Sequence, residues 1–287
     1  MKLGIVGGSG LYALPGLKAG HRHAQETPWG WPSDALVEGE IAGLPVAFLP
    51  RHGAGHRLLP SEINYRANVA ALKARGCTAL LSLSACGSFT EALPPGSLAI
   101  PHQIVDRTHG RAASFFGGGI VAHVSLADPV VADFAGIVGA AAADCGIPAV
   151  AGGTYLAIDG PRFQTRAESR LARAQGLDVV GMTAMPEAAL CREAEMAYAL
   201  AAFVTDFDSW RDGAVTTAEV LAVMQANSRA AENLVAAVCA RLAYAPLVGP
   251  GAEGWANALD HAIVTPRAHW PAEAAAHVRA IAPRLFA

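Results

Sequence analysis

YALAAFVTDFDSW, residues 198–210, is the stretch of sequence that decides the fold. The run before Asp206 is almost entirely apolar, which is typical of a strand buried on both faces of a parallel sheet. Such strands usually end at the crevice where an α/β protein binds its ligand. Asp206 and Asp208 are therefore either carboxylates that face a ligand or ordinary turn and N-cap residues before the next helix.

Strand-like and helical runs alternate along the rest of the chain. Strands are predicted near 3–6, 36–41, 46–49, 79–83, 98–100, 149–158 and 179–182, and helices near 62–74, 130–145, 166–175, 186–195, 217–242 and 271–281. The alternation indicates a largely parallel sheet covered on both faces, while the turn at 43–45 adds antiparallel strands. We predict an α/β fold: a single domain, residues 1–287, with a mixed central β-sheet flanked by helices and a C-terminal extension from about residue 245.

Composition narrows the classes of protein that fit. With 53% hydrophobic residues, a mean hydropathy of +0.32 and only 16% charged residues, the chain can build a large core. A surface so poor in charge is typical of subunits that bury apolar area against one another. The net charge of −3 and the lack of a Lys/Arg cluster argue against a nucleic-acid partner. No uninterrupted apolar stretch reaches the ~18 residues of a membrane span, so we expect no membrane association.

The five cysteines are odd in number, scattered and never spaced as C-x-x-C. This pattern argues against a disulfide framework and a zinc site, and it favours a reducing cytoplasm, as does an N-terminus without the layout of a signal peptide. Cys86 lacks the His and Asn pattern of a cysteine nucleophile. We predict no metal site, because the glycines between His52 and His56 disfavour the helix that would align these two rings.

Two glycine-rich loops could bind an anion. Gly7-Gly8-Ser9-Gly10 follows the first strand and offers backbone N–H groups and the Ser9 hydroxyl. It loosely fits a dinucleotide-binding pattern, but the acidic residue expected about 20 residues later has no convincing candidate. Arg51-His52-Gly53-Ala54-Gly55-His56-Arg57 contains two arginines, which suit phosphate or carboxylate. The alternatives are a tight strand-to-helix turn for the first loop and a solvated basic loop for the second.

Small or flat side chains occur where other segments end. Ser84-Ala85-Cys86-Gly87 ends a buried strand and leaves room for a ligand. Phe163 and Gln164 lie at the entrance of a helix that Thr165 and Glu168 cap as a Thr-x-x-Glu capping box. An aromatic ring at a helix entrance can stack on a flat ligand.

Met182 and Thr183 end another strand, shortly before Pro186 opens a helix. Met182 could pack against the edge of an apolar ring, and Thr183 could bind an anion by its hydroxyl and its backbone. For Met182, an ordinary place in the core is an equally good interpretation.

Six separated motifs together resemble one family. They are GIVGGSGLY (4–12), RHGAGHRLLPSEINYRAN (51–68), SACGS (84–88), GPRFQTRAES (160–169), GMTAMPEAALCREAE (181–195) and TDFDSW (205–210). Over roughly residues 2–220 the chain resembles the trimeric branch of the purine nucleoside phosphorylase and methylthioadenosine phosphorylase family. The resemblance implies cleavage of an N-glycosidic bond by inorganic phosphate as co-substrate, without a metal or organic cofactor. It also implies that the partners are a nucleoside, phosphate and two further copies of this chain in a homotrimer.

The resemblance assigns site residues motif by motif. It implies a phosphate site of Ser9, Arg51, His52, Ser84, Ala85 and Thr183. It implies that Asp206 and Asp208 are the catalytic pair, one donating or sharing a proton at purine N7 and the other accepting from the 6-amino group. It implies that Met182 lies beneath the ribose and Phe163 against the purine. Around the 5′ substituent it implies Thr217, Val220, Val264 and, from a neighbouring subunit, His123.

The aspartate pair also implies a choice of base. Relatives that prefer 6-oxopurines typically have asparagine here, so two aspartates favour adenine and S-methyl-5′-thioadenosine as the substrate. Gln164 departs from the serine of adenine-selective relatives and from the glutamate of oxopurine-selective ones. An amide can serve either base, so a purine nucleoside or methylthioinosine phosphorylase is the alternative.

Three other classes of protein compete with a phosphorylase. A nucleoside hydrolase would use water, for which the basic Arg51-His52 loop has no purpose. A nicotinamide-binding module would use Gly8-x-Gly10, but its ribose-binding acid is missing. A non-catalytic binding protein would leave the aspartate pair unexplained.

Overall fold

The computed structural model describes residues 1–8, 14, 16–211, 216–249 and 254–286. Within them the strands are β1 (Leu3–Gly7), β2 (Lys18–His23), β3 (Leu36–Ile41), β4 (Leu44–Pro50), β5 (Ala79–Ser88), β6 (Leu98–Ile100), β7 (Gln103–Asp106), β8 (Ala149–Ala151), β9 (Thr154–Ala157), β10 (Val179–Gly181) and β11 (Ala197–Asp206). The helices are α1 (Tyr65–Ala74), α2 (Ala132–Asp144), α3 (Arg166–Ala174), α4 (Ala184–Glu193), α5 (Thr217–Tyr244) and α6 (Ala272–Ile281).

Strand β5 is the centre of the sheet. It pairs in parallel with β1 and β11, and its last residues pair antiparallel with β10. The main order is β2-β3-β4-β1-β5-β10-β9-β7, while β11 continues to β6 and β8. Because β4, β1, β5 and β11 are mutually parallel, their carboxyl ends share one edge of the sheet, where α/β proteins bind ligands.

Strand β11 confirms the prediction made from its apolar run. All of its residues from Ala197 to Thr205 are buried, and helices α2, α4 and α5 pack against it. Its pairing with β5 shifts register between Val204 and Asp206, so that Asp206 lies opposite Gly87. The α/β fold with a mixed sheet is thereby confirmed, including the antiparallel β3–β4 pair.

The structure corrects several predicted boundaries. The run 149–158 is two strands, because Gly152 and Gly153 have positive φ angles and turn the chain between them. Helix α1 begins three residues later than predicted, since Asn64 caps it by accepting from the Ala67 amide at 3.1 Å. Strands β2 and β7 were not predicted.

The chain beyond α5 packs back onto the body of the protein. Arg284 pairs with the carboxylates of Glu195 and Asp260, and the Leu259 amide donates to Glu195 at 3.0 Å. These contacts fix the segment that was predicted as a C-terminal extension. Among the described residues, no helix has the length and apolar character needed to cross a membrane.

Candidate active site

A cavity of about 450 Å³ opens at the carboxyl-terminal edge of the sheet. Its walls come from the ends of β5, β10 and β11, from the loops that follow β4 and β9, and from the first turns of α5. Of the predicted site residues, this cavity brings together Arg51, His52, Ser84, Ala85, Phe163, Gln164, Met182, Thr183, Asp206, Asp208, Thr217 and Val220.

Three predicted site residues are not part of this lining. Ser9 lies outside the described residues. His123 and Val264 lie elsewhere on the subunit, in two adjacent segments joined by backbone hydrogen bonds: the His123 amide donates to Ala262 at 2.8 Å, and the Val264 amide donates to Val121 at 3.0 Å. Val264 is 57% exposed, so these two segments form a surface strip.

Arg51 is completely buried at one pole of the cavity. Its Nε donates to Glu187 Oε2 at 3.0 Å, and its Nη2 donates to Ser82 Oγ at 2.7 Å and to Glu187 Oε1 at 3.3 Å. Its Nη1 donates to the Leu83 carbonyl at 3.0 Å. A guanidinium has five N–H groups, so one on Nη1 has no partner among the residues that the structure describes. Arg51 can therefore offer a phosphate a single hydrogen bond but not a bidentate pair.

Glu187, near the start of α4, is a residue that sequence reasoning missed. Its carboxylate is 2% exposed and accepts from Arg51 and, at 3.2 Å, from the Tyr198 hydroxyl. A buried charge is tolerated when it is paired in this way. The sequence did offer a signal: Glu187 is an acidic residue within the otherwise apolar segment 184–191. A glutamate in such a buried segment needs a partner, whereas in an ordinary amphipathic helix it would lie on the exposed face.

His52 lies beside Arg51, with its Nδ1 2.9 Å from the Leu58 carbonyl. Because a carbonyl only accepts, Nδ1 carries the proton and Nε2 is the acceptor of the neutral ring. Burial lowers the pKa of His52 to about 4, so the ring is neutral at pH 7. The rings of His52 and His56 stack with centroids 4.2 Å apart. With Arg51 paired to Glu187, this pole carries less positive charge than the sequence led us to expect.

Two short hydroxyl side chains complete the same pole. Ser84 Oγ donates to the Ala85 carbonyl at 2.9 Å. Thr183 is 4% exposed, and its Oγ1 has no hydrogen-bond partner among the residues that the structure describes. Buried polar atoms are nearly always hydrogen-bonded, so an orphaned hydroxyl that lines a cavity is suited to a polar ligand.

Asp206 ends β11 with both carboxylate oxygens engaged. Oδ1 accepts from the Asp208 amide at 2.7 Å, and Oδ2 lies 2.8 Å from Thr205 Oγ1. Gly87 on β5 gives it room, since a Cβ there would lie 3.0 Å from Asp206 Oδ1. Burial raises the pKa of Asp206 above its usual value. A raised pKa makes a carboxyl a better proton donor near neutral pH than an ordinary aspartate.

Asp208 opens the short 3-10 turn Asp208–Trp210 with a φ of +44°. It is 7% exposed, and its Oδ2 is buried without a hydrogen-bond partner among the described residues. Burial raises its pKa, an effect that the nearby Ser169 hydroxyl opposes. The turn interpretation and the ligand interpretation of the aspartates are thus compatible: the turn aims two buried carboxyls at the cavity.

Flat and apolar side chains form the wall of the cavity beside the aspartate pair. Phe163 is 38% exposed at the mouth, and Gln164 is 9% exposed with its Oε1 unpartnered among the described residues. The capping box of Thr165 and Glu168 that positions them is present, as predicted. Met182 packs against Gly160, where a Cβ would overlap its Sδ. Together they form a slot beside the aspartate pair.

Arg111 is a second residue that sequence reasoning missed. Its side chain is 3% exposed, with Nη1 donating to the carbonyls of Met182 at 2.7 Å and Met185 at 2.8 Å, and Nη2 donating to the Asp159 carbonyl at 3.1 Å. It thereby ties the loop after β9 to the loop after β10, which form the slot. No local motif announces such a role, because the partners are backbone atoms distant in sequence.

The arrangement offers an anion-binding pole and an acid pair across one cavity. Arg51 and Thr183 offer donors at the pole, and Ser84 can add a third if its hydroxyl turns away from the Ala85 carbonyl. His52 offers the acceptor Nε2, and Asp206 and Asp208 can exchange protons at the other end. Among the described residues, no three His, Cys, Asp or Glu side chains cluster as metal ligands. Such a layout suits nucleophilic displacement by an anion with protonation of the leaving group.

Comparison with known proteins gives a consistent result. A model of the phosphorylase superfamily matches residues 2–240. S-methyl-5′-thioadenosine phosphorylase of Bradyrhizobium diazoefficiens is 54% identical over 82% of this chain and 81% of its own length. The enzyme of the same name from Cereibacter sphaeroides is 46% identical over 99% of this chain and 98% of its own length.

Solved structures agree with these relatives. A methylthioadenosine phosphorylase from an antarctic soil metagenomic library superposes with a TM-score of 0.91 at 43% identity, covering 98% of both chains. Methylthioadenosine phosphorylase from Schistosoma mansoni in complex with adenine superposes with a TM-score of 0.82 at 38% identity, covering 85% of this chain and 92% of its own.

Proposed function

The chain belongs to the phosphorylase superfamily and is a pentosyltransferase of the purine nucleoside phosphorylase type, and we propose that the cavity carries out the phosphorolysis of S-methyl-5′-thioadenosine. The products are adenine and 5-methylthioribose 1-phosphate. Inorganic phosphate is the co-substrate, and the reaction uses neither a metal nor an organic cofactor.

One observation supports this proposal above others: orphaned polar atoms occur at both ends of a single cavity. At the anion pole the Thr183 hydroxyl lacks a partner, and at the other end the Asp208 carboxylate and the Gln164 amide oxygen lack partners among the described residues. A phosphate can accept from the first, and a purine 6-amino group has two N–H donors for the other two. A turn of each side chain toward the cavity would let one nucleoside and one phosphate satisfy all three atoms, which the protein alone leaves buried.

The chemistry follows from this arrangement. A phosphate oxygen attacks C1′ of the ribose while the C1′–N9 bond breaks, and the electron pair of that bond passes into the purine. The purine becomes more basic as it leaves, so protonation at N7 lowers the barrier, an effect of about 10²–10⁴-fold. Phosphate held at the opposite face stabilises the oxocarbenium-like sugar.

We assign the proton at N7 to Asp206 and the contact with the 6-amino group to Asp208. Asp206 is held by a backbone amide and a hydroxyl, which fixes the orientation that proton transfer requires. Asp208 has the free acceptor that an amino group needs. Burial raises the pKa of both carboxyls, which favours a shared proton between the pair and the base.

Gln164 supports a second activity, on 6-oxopurine nucleosides such as methylthioinosine. Its amide can accept from the 6-amino group and donate to N1 of adenine, and the reversed amide can accept from N1–H and donate to O6 of hypoxanthine. The aspartate pair then separates the two bases: an ionised Asp208 repels O6, and Asp206 at N7 lies next to the 6-substituent, where an amide would suit an oxopurine better. We expect adenine to be preferred, with measurable activity on the oxopurine.

Release of base with and without phosphate tests the reaction. Purified protein is mixed with S-methyl-5′-thioadenosine, adenosine or methylthioinosine, and the free base is quantified by chromatography. We expect adenine release from S-methyl-5′-thioadenosine to require phosphate. A rate that does not change when phosphate is removed would identify a hydrolase instead and contradict the proposal.

We further propose that the active unit is a homotrimer in the cytoplasm. The surface strip with His123 and Val264 would then close the 5′ end of a neighbouring cavity, beside Thr217 and Val220. The exposed apolar side chains of Leu59 (44%) and Leu221 (55%), which line the cavity mouth, support a partner there. The five free cysteines suit a reducing compartment.

Mixing two damaged variants tests the shared site. His123→Ala would spoil the cavity of a neighbour, and Asp206→Asn would spoil the cavity of its own chain. In mixed trimers, some cavities have an intact Asp206 from one subunit and an intact His123 from the next, so activity should rise above that of either variant alone. Mixed subunits that exchange without any gain would contradict a shared site, and light scattering gives the mass directly.

A further inference from the structure

Tyr155 on β9 is a buried polar residue with no function assigned so far. The residue is completely buried, and its hydroxyl has no hydrogen-bond partner among the residues that the structure describes. Hydroxyl groups buried in protein interiors are nearly always hydrogen-bonded, and each exception calls for a physical explanation. The surroundings of this hydroxyl supply one.

The neighbouring strand makes room for the tyrosine ring. β9 and β10 are parallel, with Tyr155 paired to Val179 and Ala157 to Gly181. The ring leans along β10 toward the cavity, since a Cβ at position 181 would overlap the Tyr155 hydroxyl oxygen. Gly181 is therefore the residue that lets the hydroxyl reach the carboxyl-terminal edge of the sheet.

At that edge the Tyr155 hydroxyl lies on the interior side of the anion-binding residues, away from the cavity. The Ser84 side chain and the backbone of Thr183 are the polar groups that face it, and both residues line the cavity. Ser84 Oγ currently donates its only proton to the Ala85 carbonyl. To donate to a ligand instead, Ser84 must turn its proton away from that carbonyl, and its oxygen then has a lone pair free toward the interior.

We propose that Tyr155 is a positioning residue of the anion site, whose hydroxyl donates to Ser84 Oγ and so directs the Ser84 proton to an oxygen of bound phosphate. This inference rests on the proposed function, in which the anion is phosphate. Two hydrogen bonds in series polarise one another, so that Ser84 becomes a better donor. Hydrogen bonds of this kind are often long in the free enzyme and tighten with the ligand in place.

The chemistry of a phenol suits the role. Burial raises the pKa of Tyr155 to about 12, so the hydroxyl keeps its proton and can donate at neutral pH. Because the ring lies behind Ser84 and does not line the cavity, its effect should reach phosphate only through Ser84. That route distinguishes a positioning role from direct contact.

A double-mutant cycle tests the inference. The variants are Tyr155→Phe, Ser84→Ala and the double variant, with KM for phosphate, KM for the nucleoside and kcat measured for each. We expect Tyr155→Phe to raise KM for phosphate about 3- to 10-fold, the range for one lost hydrogen bond, and to change KM for the nucleoside less than about twofold. We expect the double variant to be no worse than Ser84→Ala alone.

Ser97→Ala is the matched control, because Ser97 is also a buried hydroxyl, donating to the Pro94 carbonyl at 2.6 Å outside the cavity. It should lower the melting temperature without raising KM for phosphate. Independent, multiplicative effects of the two site variants would overturn the inference, as would an unchanged KM for phosphate in Tyr155→Phe. If the wild-type protein released base at the same rate with and without phosphate, that result would instead refute the proposed function itself.

A second measurement keeps the Tyr155 hydroxyl in place, so it tests the inference even if Tyr155→Phe folds poorly. 3-Fluorotyrosine is incorporated at the five tyrosines, and the fluorine spectrum is recorded as inorganic phosphate is added. We expect phosphate to shift one resonance in the wild type and to leave it in place in Ser84→Ala. A spectrum that is the same with and without saturating phosphate overturns the inference.

Discussion

Replacing Asp206 by asparagine removes a proton and almost nothing else. The asparagine Oδ1 can still accept from the Asp208 amide, as Asp206 Oδ1 does now at 2.7 Å. Its Nδ2 can donate to Thr205 Oγ1, because that hydroxyl can turn its own proton to the Cys86 carbonyl at 3.2 Å. No buried group loses its partner, so we expect the free energy of unfolding to change by less than about 1 kcal/mol.

The activity should respond very differently. Loss of well-placed proton transfer costs about 10²–10⁴-fold in rate, which corresponds to about 3–5 kcal/mol of transition-state stabilisation. We expect Asp206→Asn to lose this much in kcat on S-methyl-5′-thioadenosine, and to lose less on methylthioinosine because an amide can donate to a 6-oxopurine. Steady-state release of both bases gives the ratio, and chemical denaturation checks the fold.

Two results would refute this reasoning. Equal losses on the two nucleosides would show that Asp206 does not select the base. A loss below about tenfold in a well-folded variant would show that the proton comes from elsewhere, and Asp208→Asn is then the variant to compare. A pH profile adds a third check: since the pKa of Asp206 is raised by burial, the wild-type rate should fall as pH rises through that pKa, and the variant should lose this limb.

Three further predictions concern the surroundings of the cavity. Gln164→Ser should lower activity on methylthioinosine about 10-fold more than on S-methyl-5′-thioadenosine, one hydrogen bond to the base being lost; equal changes would contradict a role in base choice. Arg111→Met should raise KM for the nucleoside more than KM for phosphate and lower the melting temperature. The variant loses the hydrogen bonds that join the loops after β9 and β10, while the anion-binding pole around Arg51 is unchanged. His52 has a folded pKa of about 4 against 6.5 unfolded, so its contribution to the free energy of unfolding is fully present above about pH 6.5 and falls by about 3 kcal/mol as the pH drops to 4. In His52→Gln the denaturation midpoint should therefore depend less on pH between 6.5 and 4. The same pH dependence in the variant as in the wild type would argue against a buried neutral ring.

The parts of the fold that were predictable from sequence are those with strong local patterns. The apolar run of β11 announced a buried strand, and the Thr165–Glu168 capping box announced the start of α3. Strands β2 (KAGHRH) and β7 (QIVD) were not predictable in this way, because they are outer strands of the sheet with too few apolar residues to form a run. The Gly152-Gly153 pair was a turn signal that the neighbouring apolar residues outweighed.

The candidate site divides in the same manner. Side chains that follow strand ends, such as Asp206 and Thr183, could be predicted, since strand ends meet at one edge of the sheet. Glu187, Arg111 and Tyr155 could not, because their partners are distant in sequence and are defined only when the strands pair. Local sequence thus indicates which groups line the cavity, while the groups that hold them in place are defined only by the tertiary structure.

The pairing of Arg51 with Glu187 has a consequence for turnover. In the proposed reaction, phosphate and the sugar phosphate product are both dianions, and the same pole would have to bind one and release the other. A lone buried guanidinium would attract both strongly, and the product would leave slowly. With its charge balanced by Glu187 and with one N–H group lacking a partner among the described residues, Arg51 would keep the affinity moderate. By weakening the binding of the dianionic product, the buried carboxylate of Glu187 would therefore speed product release.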